Sequence, residues 1–289
     1  MRMDGPSPGL ISRRAFAAGM GLAGAARLPG AGPAKVIDCH AHLTHHGNPG
    51  WEEADRRLID AADRLGIGQL CCSLLSPRRP ARPEDFRQCN DWAAEAMRRY
   101  PGRILCYCFV NPGYGREARE EIARCVEKLG FIGVKLYNDY VATEPVVWPV
   151  VEQAIALSVP ILHHAGHTYW LSEPQPRISD GGTFAELAGR YPEAMLICAH
   201  AAGGGDWEWT IKALRNAPGV YLDTSGSVPD EGVVEMAVRT LGAGRILFGC
   251  DMSLTASVGR IRSAELSDAD RAAILGGNMQ RILARRRAG

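Results

Sequence analysis

The eight histidines of this chain fall into three short clusters, and each cluster lies where an apolar, strand-like segment ends. The clusters are KVIDCHAHLTHH with His40, His42, His45 and His46, VPILHHAGH with His163, His164 and His167, and AMLICAH with His200. Imidazole nitrogens are common metal ligands, and the groups of a functional site are usually contributed by distant parts of a chain. The distribution therefore predicts one shared site, most simply a metal site.

Two further features strengthen the prediction of a metal site. His40 and His42 are two residues apart, and because strand side chains alternate between faces, both can point at one ion. Asp251 ends the last strand-like segment, RILFGCD, and adds a carboxylate. By the same alternation, Cys39 is expected to point away from the site.

The segments that must position these residues alternate between short apolar and longer amphipathic stretches from Lys35 onward. Eight strand candidates cover residues 35–40, 67–75, 103–110, 131–137, 159–164, 194–200, 219–224 and 245–251. Seven are continuous enough in apolar residues to be parallel strands that are buried on both faces. Eight helix candidates accompany them, and the last has Ser267 as its predicted N-cap.

Eight strand–helix units within about 250 residues predict an α/β fold, a single (β/α)8 TIM barrel. The alternative is an open doubly wound sheet, which is weakened because no GxGxxG motif follows the first strand. In a barrel, the functional groups come from the carboxyl ends of the strands, where the histidine clusters lie.

Composition limits the class of protein. The chain has 289 residues, of which 46% are hydrophobic, enough for one barrel-sized domain or two ordinary ones. A formal net charge of +1 gives no electrostatic support for binding nucleic acid or an anionic membrane. Nine cysteines are an odd number, and several lie in apolar segments as small buried residues, which indicates folding in a reducing compartment.

Residues 1–34 differ from the rest of the chain, and we expect them to precede a barrel domain at 35–289. SRRAF followed by AAGMGLAGAA resembles a twin-arginine export signal, whose cargo folds and loads metal before export. The apolar stretch is too short and too rich in glycine for a stable membrane span. The segment predicts an exported, periplasmic protein. A disordered extension or a misassigned start would leave the protein cytoplasmic.

Six segments in order, VIDCHAHL, GVKLY, PILHHAG, ICAHAAGG, LFGCDMS and GNMQRIL, resemble successive motifs of the amidohydrolase superfamily. The similarity covers residues 35–284, and the branch it resembles most is the amidohydrolase-related (amidohydrolase 2-type) metal-dependent hydrolases. The resemblance implies a (β/α)8 barrel with a divalent metal ion, most simply zinc, at the strand ends. It also implies activation of water to cleave an ester, lactone or amide bond of a small molecule.

The resemblance also assigns roles to individual residues. His40, His42 and His164 would bind the metal, with His163 pointing away from the barrel axis. Asp251 would bind the metal and act as the general base on metal-bound water. His200 would hold a second metal, or polarise the substrate or shuttle a proton where only one metal is present.

Lys135 ends the fourth strand in GVKLY and is a catalytic candidate. In two-metal members of the superfamily a lysine at this point can be carbamylated and bridge both ions, whereas in one-metal relatives it contacts substrate or a carboxylate. A lysine that only extends to the barrel mouth is the plain structural alternative. Pocket-lining candidates in the loops are Tyr137, Asp139, Tyr140, His167, Tyr169 and Trp170.

Two alternatives to the hydrolase stay open. The first is a decarboxylase of an aromatic or unsaturated carboxylic acid, in which Arg177 or Lys135 would meet the departing carboxylate. The second is a non-catalytic metal- or ligand-binding barrel, which the presence of Asp251 disfavours because binding alone needs no general base. Oligomeric state and substrate identity are not determined by the sequence, and a homo-oligomer stays open.

Overall fold

The computed structural model describes residues 35–285 except 45–46, 48, 168–176, 202–205 and 227–229. Its eight strands are parallel and pair in chain order. The strands are β1 Ile37–His42, β2 Gln69–Ser73, β3 Ile104–Phe109, β4 Gly133–Leu136, β5 Ile161–His163, β6 Leu196–Cys198, β7 Val220–Asp223 and β8 Ile246–Leu247. The predicted barrel is confirmed, and the segment 1–34 lies outside the described residues.

Helices lie between and after the strands. They are α1 Trp51–Leu65, α2 Pro83–Arg99, α3 Gly115–Ala123, α4 Trp148–Ala156, α5 Gly181–Arg190, α6 Trp207–Ala213, α7 Val233–Leu241, α8 Leu254–Ser263, α9 Asp268–Ala272 and α10 Asn278–Arg285. Ser267 caps α9 as predicted, its side chain accepting from the N–H of Asp270. Helix α8 was not predicted, and the single last helix that was predicted is divided by a π-helical turn at Ala273–Gly277.

The buried residues form two layers. An inner cluster fills the barrel with strand residues such as Ile37, Tyr107 and Leu162 and includes Met279 and Ile282 of α10. A larger outer cluster packs the opposite strand faces against the helices. All nine cysteines are unpaired and buried, so they pack as small apolar residues as predicted. In the described part of the chain, no helix is both long and apolar enough to cross a membrane.

A β-bulge interrupts β1 directly beside the histidine pair. Asp38 pairs with Leu70 and Ala41 with Cys72, so three residue steps on β1 match two on β2. Cys39 packs in the inner cluster, on the same side as Ile37, so Cys39 and the adjacent His40 both face inward. The bulge restarts the alternation, so His40 and His42 also turn towards the barrel mouth, above that cluster.

Candidate metal centre and active site

Three of the predicted metal ligands meet at the carboxyl ends of β1 and β8. The side chains of His40, His42 and Asp251 place ligand atoms within 4.8 Å of one another. Nε2 of His42 lies 3.2 Å from Nε2 of His40 and 3.2 Å from Oδ1 of Asp251. A divalent ion can bind two histidine nitrogens and a carboxylate oxygen that lie this close together. These three ligands would leave other coordination positions of the ion free for substrate.

The other two predicted residues lie beside this trio. Nε2 of His200 is 3.0 Å from Nδ1 of His164, and Nδ1 of His200 is 3.8 Å from Oδ2 of Asp251. The rings of His40 and His200 are 4.9 Å apart between centroids. The strand ends therefore bring together all five residues that were predicted as metal ligands. Which of them bind an ion stays a prediction.

Lys135 reaches the same cluster from β4. Its Nζ lies 2.8 Å from Nε2 of His40, and its side chain is fully buried. Burial lowers the pKa of Lys135 to about 8, against the opposing charges of Asp251 and Asp223. Lys135 is thus part of the site rather than a lysine at the barrel rim. Its catalytic role and its carbamylation stay predictions.

Three residues that the sequence did not single out orient the histidines. Oδ2 of Asp223 lies 2.9 Å from Nδ1 of His40, Oγ of Ser73 lies 3.1 Å from Nδ1 of His42, and Oγ of Ser225 lies 3.1 Å from Nδ1 of His200. A partner on one ring nitrogen fixes the tautomer and leaves the other nitrogen to bind. Asp223 is the last residue of β7, much as Asp251 follows β8. Its position as a carboxylate at the end of the apolar segment GVYLDT is the sequence signal that could have identified it as a site residue.

The protonation states favour binding of a cation. Burial lowers the pKa values of His40, His42 and His164, and burial with the charge of His40 lowers that of His200 to about 4. Burial acts to raise the pKa of Asp251, but the hydrogen bond from His42 and the nearby histidines hold it well below its usual range. Neutral imidazoles and an ionised carboxylate are the forms that bind metal.

Two of the site residues have an unusual backbone. His200 and Asp251 have φ values of 64° and 54°, in the left-handed region that residues with a Cβ seldom adopt. Such conformations persist where the surrounding structure holds them in place, and they concentrate at functional sites. The backbone thus marks the same two residues as the side-chain geometry.

A cavity of about 340 Å³ opens onto the cluster. Its walls are mostly apolar or aromatic, and they include Leu74, Leu75, Trp92, Tyr137 and Met252 beside His42, His164, His200 and Asp251. Arg79 is the one Arg or Lys among the described lining residues, and its guanidinium lies 3.7 Å from the centre of the Tyr137 ring. Sequence patterns did not indicate Arg79, which lies in the irregular loop between β2 and α2.

The other residues predicted to line the pocket or to contact substrate differ in their positions relative to this cavity. Tyr137 lines the cavity, whereas Asp139 and Tyr140 are not among its lining residues.

His163 is buried, and its Nδ1 donates to the carbonyl oxygen of His164 at 2.7 Å, as expected for a structural histidine. Arg177 is exposed and pairs with Glu144 at 2.6 Å, away from the cavity. His167 lines an adjoining cavity. His45, His46, Tyr169 and Trp170 lie outside the described residues.

A second cluster, formed by Cys108, Glu121 and Cys125, also has metal-like spacing. Its carboxylate already accepts from Asn90 at 3.0 Å and from two nitrogens of Arg124 at 2.7 and 2.8 Å. Because a guanidinium occupies the place where a cation would bind, we interpret this cluster as a satisfied buried polar network.

Comparison with known proteins shows the family. The model of the family described as Amidohydrolase matches residues 37–285. The chain belongs to this family. It is therefore an enzyme of the amidohydrolase superfamily, and the sequence resemblance is confirmed.

Among curated proteins, this amidohydrolase is similar to gamma-resorcylate decarboxylase from Polaromonas sp. strain JS666. The two are 27% identical over 304 residues, covering 80% of this chain and 90% of that protein. It is also 22% identical over 334 residues to 2-keto-4-carboxy-3-hexenedioate hydratase from a Sphingobium species, covering 86% and 96%.

Two solved structures illustrate the shared barrel. Dihydroxybenzoic acid decarboxylase from Polaromonas sp. JS666, with bound manganese and 2-nitroresorcinol, aligns with a TM-score of 0.68 at 21% identity, covering 86% of this chain and 97% of that one. 5-Carboxyvanillate decarboxylase from Sphingomonas paucimobilis aligns with a TM-score of 0.68 at 17% identity, covering 87% and 99%. At such identities the likeness establishes the fold.

These relatives correct the predicted reaction. The expectation of a hydrolase is wrong, because the similar curated proteins are decarboxylases and a hydratase. The resemblance identified the superfamily correctly, but the ligand motifs are shared by members that run different reactions. A divalent-metal site in this chain is supported by the ligand cluster, whereas zinc stays a prediction. Two of the solved neighbours contain manganese.

Proposed function

We propose that this amidohydrolase is a metal-dependent decarboxylase of a small aromatic or unsaturated carboxylic acid. The observation that carries the proposal is that Arg79 lines the same cavity as His42 and Asp251. A site for decarboxylation needs a cation to hold the carboxylate beside the metal ligands. Similarity to three curated decarboxylases at 26–27% identity supports the same reaction.

The cavity fits such a substrate on two counts. The guanidinium of Arg79 rests against the ring of Tyr137, and a guanidinium held in place can donate two parallel hydrogen bonds to a carboxylate. Leu74, Leu75 and Trp92 offer flat apolar surface for an unsaturated or aromatic body. The proposed anchor is thus Arg79, in place of the predicted Arg177, which is paired elsewhere.

His40, His42 and Asp251, with His164 beside them, would hold the metal ion, which supplies Lewis-acid polarisation of substrate oxygen atoms when bound. In the reaction the bond to the carboxylate carbon breaks, carbon dioxide leaves, and the electron pair stays on the substrate carbon. A proton must then reach that carbon. We propose that His200 takes this proton from water and delivers it, and that the ionised carboxylate of Asp251, 3.8 Å away at the same cavity, stabilises the protonated ring.

The test is a panel of aromatic and unsaturated carboxylic acids, offered to purified protein loaded with Mn²⁺ or with Zn²⁺. We expect release of carbon dioxide, and in deuterated water we expect one deuterium at the carbon that lost the carboxylate. Asp251→Asn and His200→Asn should each abolish turnover. Ester or lactone cleavage, or addition of water to an unsaturated acid without carbon dioxide release, would contradict the proposal.

Export remains a separate proposal that rests on the sequence of residues 1–34. A paired Arg13 and Arg14 before a weakly apolar stretch supports a twin-arginine signal. Replacing both with Lys should shift the protein from the periplasmic to the cytoplasmic fraction of expressing cells. An unchanged distribution would show that this segment is not the signal.

A further inference from the structure

The seam that closes the barrel, between β8 and β1, contains few regular contacts. β8 comprises only Ile246–Leu247, and an isolated bridge pairs Ala41 of β1 with Asp251, beyond the end of β8. Three backbone hydrogen bonds cross it: the N–H of Cys39 donates to the carbonyl oxygen of Phe248 at 2.8 Å, and the N–H groups of Cys250 and Asp251 donate to the carbonyl oxygen of His40 at 3.2 and 2.5 Å. The metal trio straddles this seam, since His40 and His42 belong to β1 and Asp251 follows β8.

Asp38 connects the two sides of the seam. Its Oδ1 accepts from the backbone N–H of His40 at 2.9 Å, at the bulge, and from the N–H of Cys250 at 3.0 Å. Cys250 directly precedes Asp251. One carboxylate oxygen therefore joins the backbone of one predicted ligand to the residue before another.

The burial of the Asp38 carboxyl group is energetically unfavourable, which indicates that Asp38 has a role beyond filling space. Asp38 is fully buried, and among the residues that the structure describes its Oδ2 has no hydrogen bond of ordinary geometry; the thiol of Cys250, a weak donor, interacts with the same carboxyl group. Burying a carboxyl group with a poorly paired oxygen is unfavourable, and such groups are rare in folded proteins. An apolar side chain would fill the same space without this cost, but it could not bridge the two backbone N–H groups.

We propose that Asp38 is a positioning residue for the metal centre. Through its Oδ1 it works with the backbone hydrogen bonds from Cys250 and Asp251 to His40 to set the separation between β1 and the start of the loop after β8, so that His40 and Asp251 can bind one ion together. Metal–ligand bonds of about 2.0–2.2 Å leave little tolerance for a seam that opens. The inference concerns metal affinity and holds whichever reaction the enzyme catalyses.

The test measures the dissociation constant for Mn²⁺ by equilibrium dialysis, together with the melting temperature of the metal-free protein. Asp38→Ala removes the bridging acceptor, and we expect Mn²⁺ affinity to fall about 10- to 100-fold, as for other residues that orient ligands. Asp38→Asn keeps an oxygen in the position of Oδ1 and should bind Mn²⁺ within about threefold of the wild type on the same scale. Asp38→Glu keeps the carboxyl group but moves the acceptor, and should resemble the Ala variant.

Asn278→Ala is the matched control. Asn278 is buried, and its Nδ2 donates to the carbonyl oxygens of Ala243 and Ile246, at the opposite end of β8. Its loss should lower the melting temperature and leave Mn²⁺ affinity unchanged. The proposal fails if Asp38→Ala binds Mn²⁺ like the wild type, or if Asn278→Ala weakens binding as much. If Asp38→Ala does not fold, the pair Asp38→Asn and Asp38→Glu decides, and equal affinities in that pair would overturn the proposal.

Discussion

Nδ1 of His40 lies 2.9 Å from Oδ2 of Asp223, and neither side chain is exposed to solvent. Burial acts to raise the pKa of Asp223, but the charge of His40 and its hydrogen bond lower it to about 2. An ionised carboxylate on Nδ1 leaves the lone pair of His40 on Nε2, the nitrogen that faces His42 and Lys135.

Asp223→Asn should weaken metal binding. An amide can offer its N–H2 to Nδ1 and stabilise the wrong tautomer, so we expect Mn²⁺ affinity to fall about 10- to 100-fold. Equilibrium dialysis measures the effect. Asp206→Asn is the control, because Asp206 also accepts a backbone N–H, from Trp209 at 2.8 Å, but lies outside the metal cluster. Equal losses in both variants would show that the pair with His40 has no special role.

Metal should stabilise the folded protein. An ion present at 100 times its dissociation constant contributes about 2.7 kcal/mol if it binds the folded state alone. We expect the melting temperature to rise on adding Mn²⁺ to chelator-treated protein and to stay constant in His42→Ala. His167→Ala should behave as the wild type, since His167 is exposed and not part of the metal trio. An unchanged melting temperature in the wild type would count against the metal centre.

Arg79 should decide the affinity for carboxylate substrates. Because the guanidinium forms paired hydrogen bonds, Arg79→Gln should raise KM at least about tenfold, and Arg79→Lys should recover only part of the loss. Steady-state kinetics on the best acid of the panel gives both values. Arg78→Gln is the control, as Arg78 interacts with Asp85 at 3.3 Å and does not line the cavity. A KM unaffected by both Arg79 variants would place the carboxylate elsewhere.

Asp139 should make stability depend on pH in an identifiable direction. Burial raises its pKa above the ordinary value of 3.8, against the charge of Arg79. A raised pKa favours the protonated group in the folded state, so this contribution is full below pH 3.8 and is lost as the pH rises through the raised value. Asp139→Asn should therefore raise the melting temperature near neutral pH, with a gain that disappears towards pH 3.8.

Thermal melts across this pH range measure the difference between Asp139→Asn and the wild type. Glu231→Gln, at an exposed carboxylate, is the control and should show no such gain. A gain for Asp139→Asn that grows as the pH falls would contradict the assigned direction.

The barrel could be predicted because its signal is local. Apolar segments marked all eight strands, and the polar ends of five of them hold His40, Lys135, His164, His200 and Asp251, which meet in space. Because the functional groups of a barrel lie at the carboxyl ends of its strands, these residues could be assigned to one site without knowledge of any contact between them.

Other parts of the site depend on contacts that a linear pattern does not contain. Arg79 enters the cavity from an irregular loop, and its position is set by the ring of Tyr137, 58 residues away in sequence. The bulge in β1 arises from pairing with β2, so a linear pattern does not show that Cys39 and His40 both face the barrel interior. The reaction depends on the cavity around the metal ligands, and members that run different reactions share the same ligand motifs. This explains why the motifs suggested hydrolysis.

The left-handed backbone of His200 and Asp251 sets a limit on how this enzyme can be improved. Each such residue costs about 1 to 3 kcal/mol relative to an unstrained one, and glycine would remove most of that cost. A library of metal-free protein sorted only for heat resistance should therefore accumulate His200→Gly and Asp251→Gly, which would be stable barrels without catalytic activity. Directed evolution of this chain has to select for turnover and durability in the same round.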